Sequence, residues 1–241
     1  MKVCAANHYG RTKLARRRLL RHLDGMARIT LVNPNTSTAT TDLMVAIARA
    51  QAPGWLEING MTAHTGAALI TNEASLALAA DAVVALVPEL SGDGVIVAAF
   101  GDPGADRLRA RLRIPVVGIG EASVRAAAAH GRRFAIVTTT AELVVGIERR
   151  VTALGCAHSF AGVRVTAREP VALTADPRAL EAALFALVEL SVRDDGAEAI
   201  VIGGGPLSAA ARAIAGRTSA AIIEPVPAAV AWMARALATP G

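Results

Sequence analysis

Aromatic residues are scarce: four Phe, two Trp and one Tyr make up 3% of the 241-residue chain. With 53% hydrophobic residues, the core must be built from Ala, Val, Leu and Ile, the palette of a parallel sheet covered by Ala-rich helices. The two cysteines, Cys4 and Cys156, are too few for a disulfide framework or a metal cluster, so no metal site is expected. Membrane-spanning runs are lacking as well. The longest apolar stretches, 179–192 and 220–238, are interrupted by Glu181, Glu189, Glu224, Pro225 and Pro227. No apolar segment follows the N-terminal charges to make a secretory signal. Gly203-Gly204-Gly205-Pro206 lacks both the Gly-x-Gly-x-x-Gly order and a Walker lysine, so it does not indicate a nucleotide. These absences lead to the expectation of a cytoplasmic protein with no cofactor and no membrane partner.

The net charge of +5 is unevenly spread. Lys2, Arg11, Lys13, Arg16, Arg17, Arg18 and Arg21 face only one acid, Asp24, within residues 1–25, which leaves the rest of the chain close to neutral. The basic balance is therefore a property of the leader, and the body gives no sign of a nucleic-acid partner. Three readings of the leader compete: a disordered extension or upstream start ahead of Met26, a basic helix over 14–23, or a targeting or nucleic-acid arm.

The main positive feature is an internal repeat. Arg28-Ile29-Thr30-Leu31-Val32 reads as a strand ending in Asn33-Pro34-Asn35-Thr36-Ser37, and Arg133-Phe134-Ala135-Ile136-Val137 as a strand ending in Thr138-Thr139-Thr140. About 66 residues after Ile29 comes the run from Val95 to Phe100 with its Gly101-Asp102-Pro103-Gly104 turn. About 65 after Ala135 comes Ala199 to Ile202 with the glycine turn 203–206. Each half closes on a third unit, Ile114 to Ile119 leading into Gly120-Glu121-Ala122-Ser123, and Ala220 to Ile223 leading into Glu224-Pro225. Helical periodicity fills the gaps at 40–52, 72–89, 106–112, 141–153, 177–194 and 208–215, and weaker strands are read at 56–58 and 163–165. Asp176-Pro177 is a helix start, with an N-cap followed by proline.

These units predict an α/β protein of two similar lobes. Each lobe is a parallel sheet of about four strands with flanking helices, and a pseudo-two-fold axis and a cleft relate the pair. A last helix at 228–237 returns to the first lobe, so the expected division is a leader 1–25, a first lobe 26–122 plus 220–241, and a second lobe 123–219. A homo-oligomer is expected.

In open α/β sheets ligands bind beyond the carboxyl ends of the strands. That places the turns after Val32, Phe100 and Ile119 on one wall of the cleft, those after Val137, Ile202 and Ile223 on the other, and Ala99 opposite Gly204. The substrate-binding candidates are Asn33, Asn35, Thr36, Ser37, Ala99, Phe100 and Gly101 on the first wall, and Thr138, Thr139, Gly204, Gly205 and Glu224 on the other. Amides, hydroxyls and free helix N–H groups there suit a carboxylate or imide oxygen, and glycines allow close backbone approach. Candidate acid/base groups are His64 on a loop after the second strand, and Asp102 and Glu121 at strand ends, which also suit turn-capping. Glu224 either faces the cleft or caps the helix that follows it. Cys156 and His158 read as a surface loop at the opposite edge of the sheet, and Glu73 as an exposed helix start.

The Val32-to-Ser37 element, the Phe100-to-Gly104 turn and Pro115 to Ala122 resemble the aspartate/glutamate/hydantoin racemase superfamily, its hydantoin racemase branch most of all, over about 28–237. The resemblance implies a cofactor-independent two-lobed enzyme in which two cysteines on opposite faces of the substrate move the α-proton, one as base and one as acid. At the positions matching those cysteines this chain has Ala99 and Gly204, so the two-thiol route is not available to it. The expectation is therefore an enzyme acting on a small carboxylate, hydantoin-like or amide substrate by a non-cysteine mechanism, whether isomerisation, decarboxylation or hydrolysis. The alternative is a catalytically silent small-molecule binding protein that keeps the cleft.

Overall fold

The computed structural model describes residues 25–204 and 207–238. All three readings of the leader, and Gly205, fall outside the described residues.

In the first half, β1 (Ala27–Asn33), α1 (Thr38–Gln51), β2 (Leu56–Thr62), α2 (Glu73–Ala85), β3 (Gly94–Val97), α3 (Ala105–Arg111) and β4 (Val116–Gly118) lead into α4 (Ile119–Ala127). The second half runs β5 (Phe134–Thr138), α5 (Val144–Ala153), β6 (Phe160–Val165), α6 (Pro170–Thr174), α7 (Pro177–Asp195), β7 (Ala199–Ile202), α8 (Ser208–Ile214), β8 (Ala221–Ile223) and α9 (Pro225–Ala238). The strands form two four-stranded sheets, ordered β2-β1-β3-β4 and β6-β5-β7-β8. Every pairing is parallel. The repeat extends to register, because Val32 lies beside Val97 and Val137 beside Ile202.

Because side chains alternate along a strand, each sheet has two apolar faces to cover. In the first sheet Ile29, Leu31, Ile96 and Val117 pack against Met44 and Ile47 of α1 and Val230 and Met233 of α9. Val32, Val95, Val97 and Val116 face Val83 of α2 and Leu108 of α3. In the second sheet Val137, Ile200 and Ile202 meet Leu180, Leu184 and Val188 of α7, while Phe134, Ile136 and Val201 meet Ile147 and Val151 of α5. Helix α4 serves both halves: Ile119 and Ala122 belong to the first core, Val124 and Ala127 to the second.

The local signals act as the residue types require. Ser37 caps α1 by accepting from Thr40 N, and Asp176 caps α7 by accepting from Ala179 N, with Pro177 in the first turn. Three regions differ from the sequence expectation. Residues 221–223, assigned there to the first lobe, form β8 beside β7 in the second sheet. The stretch after Ile119, read as a turn, is the start of α4. Helix α9 starts at Pro225 rather than Ala228, because a first turn has no intrahelical use for the N–H that proline lacks. Among the described residues, no helix is long and apolar enough to cross a membrane.

Candidate functional site

The two halves build the same turn at the ends of β3 and β7. Ala98 N donates to Val32 O at 2.8 Å, and Gly203 N to Val137 O at 2.9 Å. Next, Asp102 N donates to Ala99 O at 3.0 Å, and Leu207 N to Gly204 O at 3.1 Å. Ala99 and Gly204 therefore hold equivalent places, and both border one cavity between the lobes. The backbones there are not interchangeable. Gly204 has φ +139°, a region that L-residues rarely occupy, and a Cβ there would sit 3.2 Å from Leu207 Cγ.

The first lobe contributes Asn35, Thr40, Leu69, Ile70 and residues 98–100 to the cavity wall. From the second come residues 138–140, Leu143, Ile147, Thr174, Gly203, Gly204 and Leu207. None of these lining residues has a side chain that titrates near neutrality. The wall is made of hydroxyls, one carboxamide, backbone and apolar groups.

Its polar groups are held from behind. Fully buried Asn33 donates through Nδ2 to Asn35 Oδ1 (2.7 Å), Ser37 O (3.0 Å) and Thr41 Oγ1 (3.0 Å). Asn35 Oδ1 also accepts from Ser37 N at 2.9 Å. Asn35 Oδ1 is thus committed to Asn33 and Ser37, its Nδ2 has no hydrogen-bond partner among the described residues, and Asn35 is one of the residues that border the cavity. Thr36 N is bonded to Ala67 O, and the Ser37 hydroxyl is taken up by the α1 cap, so both support the turn from outside the lining. Opposite, Thr138 Oγ1 donates to Gly203 O at 3.2 Å and lies 3.1 Å from Thr140 Oγ1, tying two wall segments together.

Asp102 and Glu121 come together behind the wall. The Asp102 carboxylate accepts from Gly120 N and Glu121 N, both at 2.7 Å, and so caps α4 from a distant strand end. Gly118 and Gly120 make room for it: a Cβ at 118 would fall inside the carboxylate, and one at 120 would lie 3.0 Å from Oδ1. Asp102 itself has φ +52°, which aspartate tolerates better than most residues. Across the lobe boundary, Arg150 of α5 reaches Asp102 at 3.3 Å, Asp106 at 3.2 Å and Glu121 at 3.4 Å. Glu121 also pairs with Arg109, and with Arg125 at 3.1 Å. Burial pushes Asp102 up to about 6, while Arg150 and the two backbone donors pull it down. Neither carboxylate is among the residues lining the cavity.

The other candidates are scattered. The His64 side chain is 66% exposed, lies 3.0 Å from Glu89, and is outside the cavity. Glu224 pairs with Arg212 at 3.1 Å and is also outside it, as are Asn33, Thr36, Ser37 and Gly101. Gly101 borders a second cavity of about 260 Å³ that shares Phe100, Leu143 and Ile147 with the first and includes Glu73. Cys156 is a correction to the surface reading: it is only 8% exposed and packs in the second core, its Sγ 3.6 Å from Leu154 O. His158 is exposed. Sequence reading did not anticipate Leu69, Ile70, Thr174 or Leu207 on the wall, nor Arg150. Their loops and helices carry no motif, and only the folded halves bring them to the cleft.

The Asp/Glu/hydantoin racemase family profile matches residues 29–233. A hydantoin racemase from Rhizobium meliloti is 31% identical over 212 residues, covering 87% of this chain and 88% of that protein. Among solved structures, allantoin racemase from Pseudomonas fluorescens is 33% identical with a TM-score of 0.81, covering 88% of this chain and 97% of its own. Allantoin racemase from Klebsiella pneumoniae is 30% identical, also at 0.81, covering 87% and 86%. With the repeat, the paired sheets and the cleft in place, the chain belongs to the Asp/Glu/hydantoin racemase family.

Proposed function

We propose that the cleft binds a small hydantoin-like, amide or carboxylate molecule through neutral donors and acceptors and does not move its α-proton. The observation that carries this reading is the wall itself: no described residue lining the cavity has a titratable side chain, and the equivalent positions on its two sides are Ala99 and Gly204. Two-base inversion needs a group that takes a proton on one face and one that gives a proton on the other. Alanine and glycine offer neither. Binding needs only what is present: the Asn35 amide, the Thr138–Thr140 hydroxyls and the backbone of Gly203 and Gly204. The ligand class is supported by the names of the similar proteins, hydantoin and allantoin racemases. In this reading Asp102 and Glu121 are positioning residues that hold the Ala99–Phe100 turn, and His64 has no part.

Calorimetric titration with hydantoin tests it. Binding is expected, with Asn35→Ala weakening it about fivefold, the worth of about one hydrogen bond. No heat with hydantoins, small amides or small carboxylates overturns it.

A second reading, an enzyme without cysteine chemistry, is favoured by the same amide and hydroxyl donors, which would stabilise an enolate or tetrahedral oxyanion. Any proton that isomerisation, decarboxylation or hydrolysis needs would then come from water, since no titratable side chain lines the cavity among the described residues. Consumption of the ligand by the protein, lost in Asn35→Ala, distinguishes this reading from silent binding.

A further inference from the structure

Phe100 stands between two compartments of different character. The cleft cavity, about 60 Å³, and the neighbouring one, about 260 Å³, share Phe100, Leu143 and Ile147 as common wall. The larger is floored by Leu76 and Ala153 and carries the charges Glu73, Arg149 and Arg150. Arg150 is already committed to Asp102, Asp106 and Glu121, and apart from Glu73, Arg149 and Arg150 the lining is apolar or glycine. The Phe100 ring reaches across the lobe boundary and packs against the second lobe's core. It is seated on Gly203, where an added Cβ would come within 3.1 Å of the ring. A side chain at 203 would therefore crowd the ring and make it give by a few tenths of an ångström.

We propose that Phe100 is a specificity-determining partition: it confines the cleft to a small ring with at most a short substituent and bars bulky aralkyl groups from the adjoining apolar compartment. The inference rests on the binding reading above and deepens it. The Asp102 turn fixes the backbone from which the ring projects, and Leu143 and Ile147 hold the partition from the second lobe. Removing the ring joins the two spaces and exposes apolar wall that a ligand substituent then covers, which favours binding in proportion to the area buried.

The test is titration of the full chain with hydantoin and with 5-benzylhydantoin, for the native protein, Phe100→Ala and Phe100→Leu. The readout is the ratio of the two affinities. Native protein prefers hydantoin at least tenfold; Phe100→Ala shifts the ratio at least tenfold toward 5-benzylhydantoin, and Phe100→Leu shifts it less in the same direction. A ratio unchanged in both variants, or native protein that already binds 5-benzylhydantoin as tightly as hydantoin, overturns the partition while the binding reading stands. Failure of all three proteins to bind either ligand overturns the partition together with the hydantoin branch of the binding reading. Should Phe100→Ala fail to fold, as circular dichroism would show, the direction of the Phe100→Leu shift decides.

Discussion

The turn that opens with Ala99 closes on Asp102; the equivalent turn that opens with Gly204 closes on Leu207. One residue's difference separates two ways of fixing a wall. In the first lobe the closing residue turns away from the cavity into the α4 N-terminus, where two backbone donors and Arg150 hold it. In the second it points into the cavity and the apolar core. The neighbouring ends of β1 and β5 diverge in the same way: Asn33 organises three acceptors, while Thr138 ties its segment to Gly203. A duplicated fold thus has one wall fastened by charge and carboxamide and one by backbone and hydroxyl. Nothing in the fold requires either wall to carry an acid or a base.

The largest expected effect comes from breaking the charged wall at its tightest point. Gly118→Ala puts a methyl group where the Asp102 carboxylate lies, and should cost about 4 kcal/mol, combining overpacking with the loss of charge-assisted hydrogen bonds. Urea unfolding measures it; a loss below 1 kcal/mol would mean the carboxylate is not confined as described. Arg150→Ala comes next. It leaves a fully buried carboxylate short of its one cross-lobe cation and should cost about 3 kcal/mol, whereas Arg212→Ala, beside the more exposed Glu224 of the second lobe, should change stability by less than about 1 kcal/mol. Equal losses in the two would erase the contrast between the lobes.

Gly204→Ala tests the backbone wall, where a side chain at φ +139° should cost about 2 kcal/mol. Ala99→Gly, at the matching place, should cost about 1 kcal/mol or less. A further test is the pH dependence of Asp102. Its folded pKa, about 6, lies above the ordinary 3.8, so the folded state holds the proton more tightly and this group's contribution to stability falls as pH rises from about 4 through 6. The melting-temperature advantage of the native protein over Asp102→Asn should be largest near pH 4 and shrink by pH 7. An advantage that grows with pH would show that the carboxylate is stabilised as the anion.

The architecture was legible because it is written locally and twice. Val-rich runs ending in Asn33, Thr138, Gly101 and Gly203 mark parallel strands and their ligand-facing ends, and caps such as Asp176 mark helix starts. The start of α4 was not, since Gly118-Ile119-Gly120 has the composition of a turn. Its glycines serve the Asp102 carboxylate, which lies 16 residues before Gly118 in the chain. For the same reason Asp102 and Glu121 read equally well as bases or as caps. What separates the roles is Arg150, brought from another lobe by a fold that no spacing reveals. On the wall, Asn35, Ala99, Phe100, Thr138, Thr139 and Gly204 were identified from strand ends, while Thr174 and Leu207 reach it only through packing.

In the proposed function the cleft holds a small ligand without moving its α-proton. Proton NMR of single-enantiomer 5-methylhydantoin in deuterated buffer, with and without the protein, tests it most directly. The expected result is ligand line broadening that reports binding, with loss of the α-proton signal no faster than in buffer alone. Protein-dependent deuterium incorporation at the α-carbon, with or without racemisation, would contradict it.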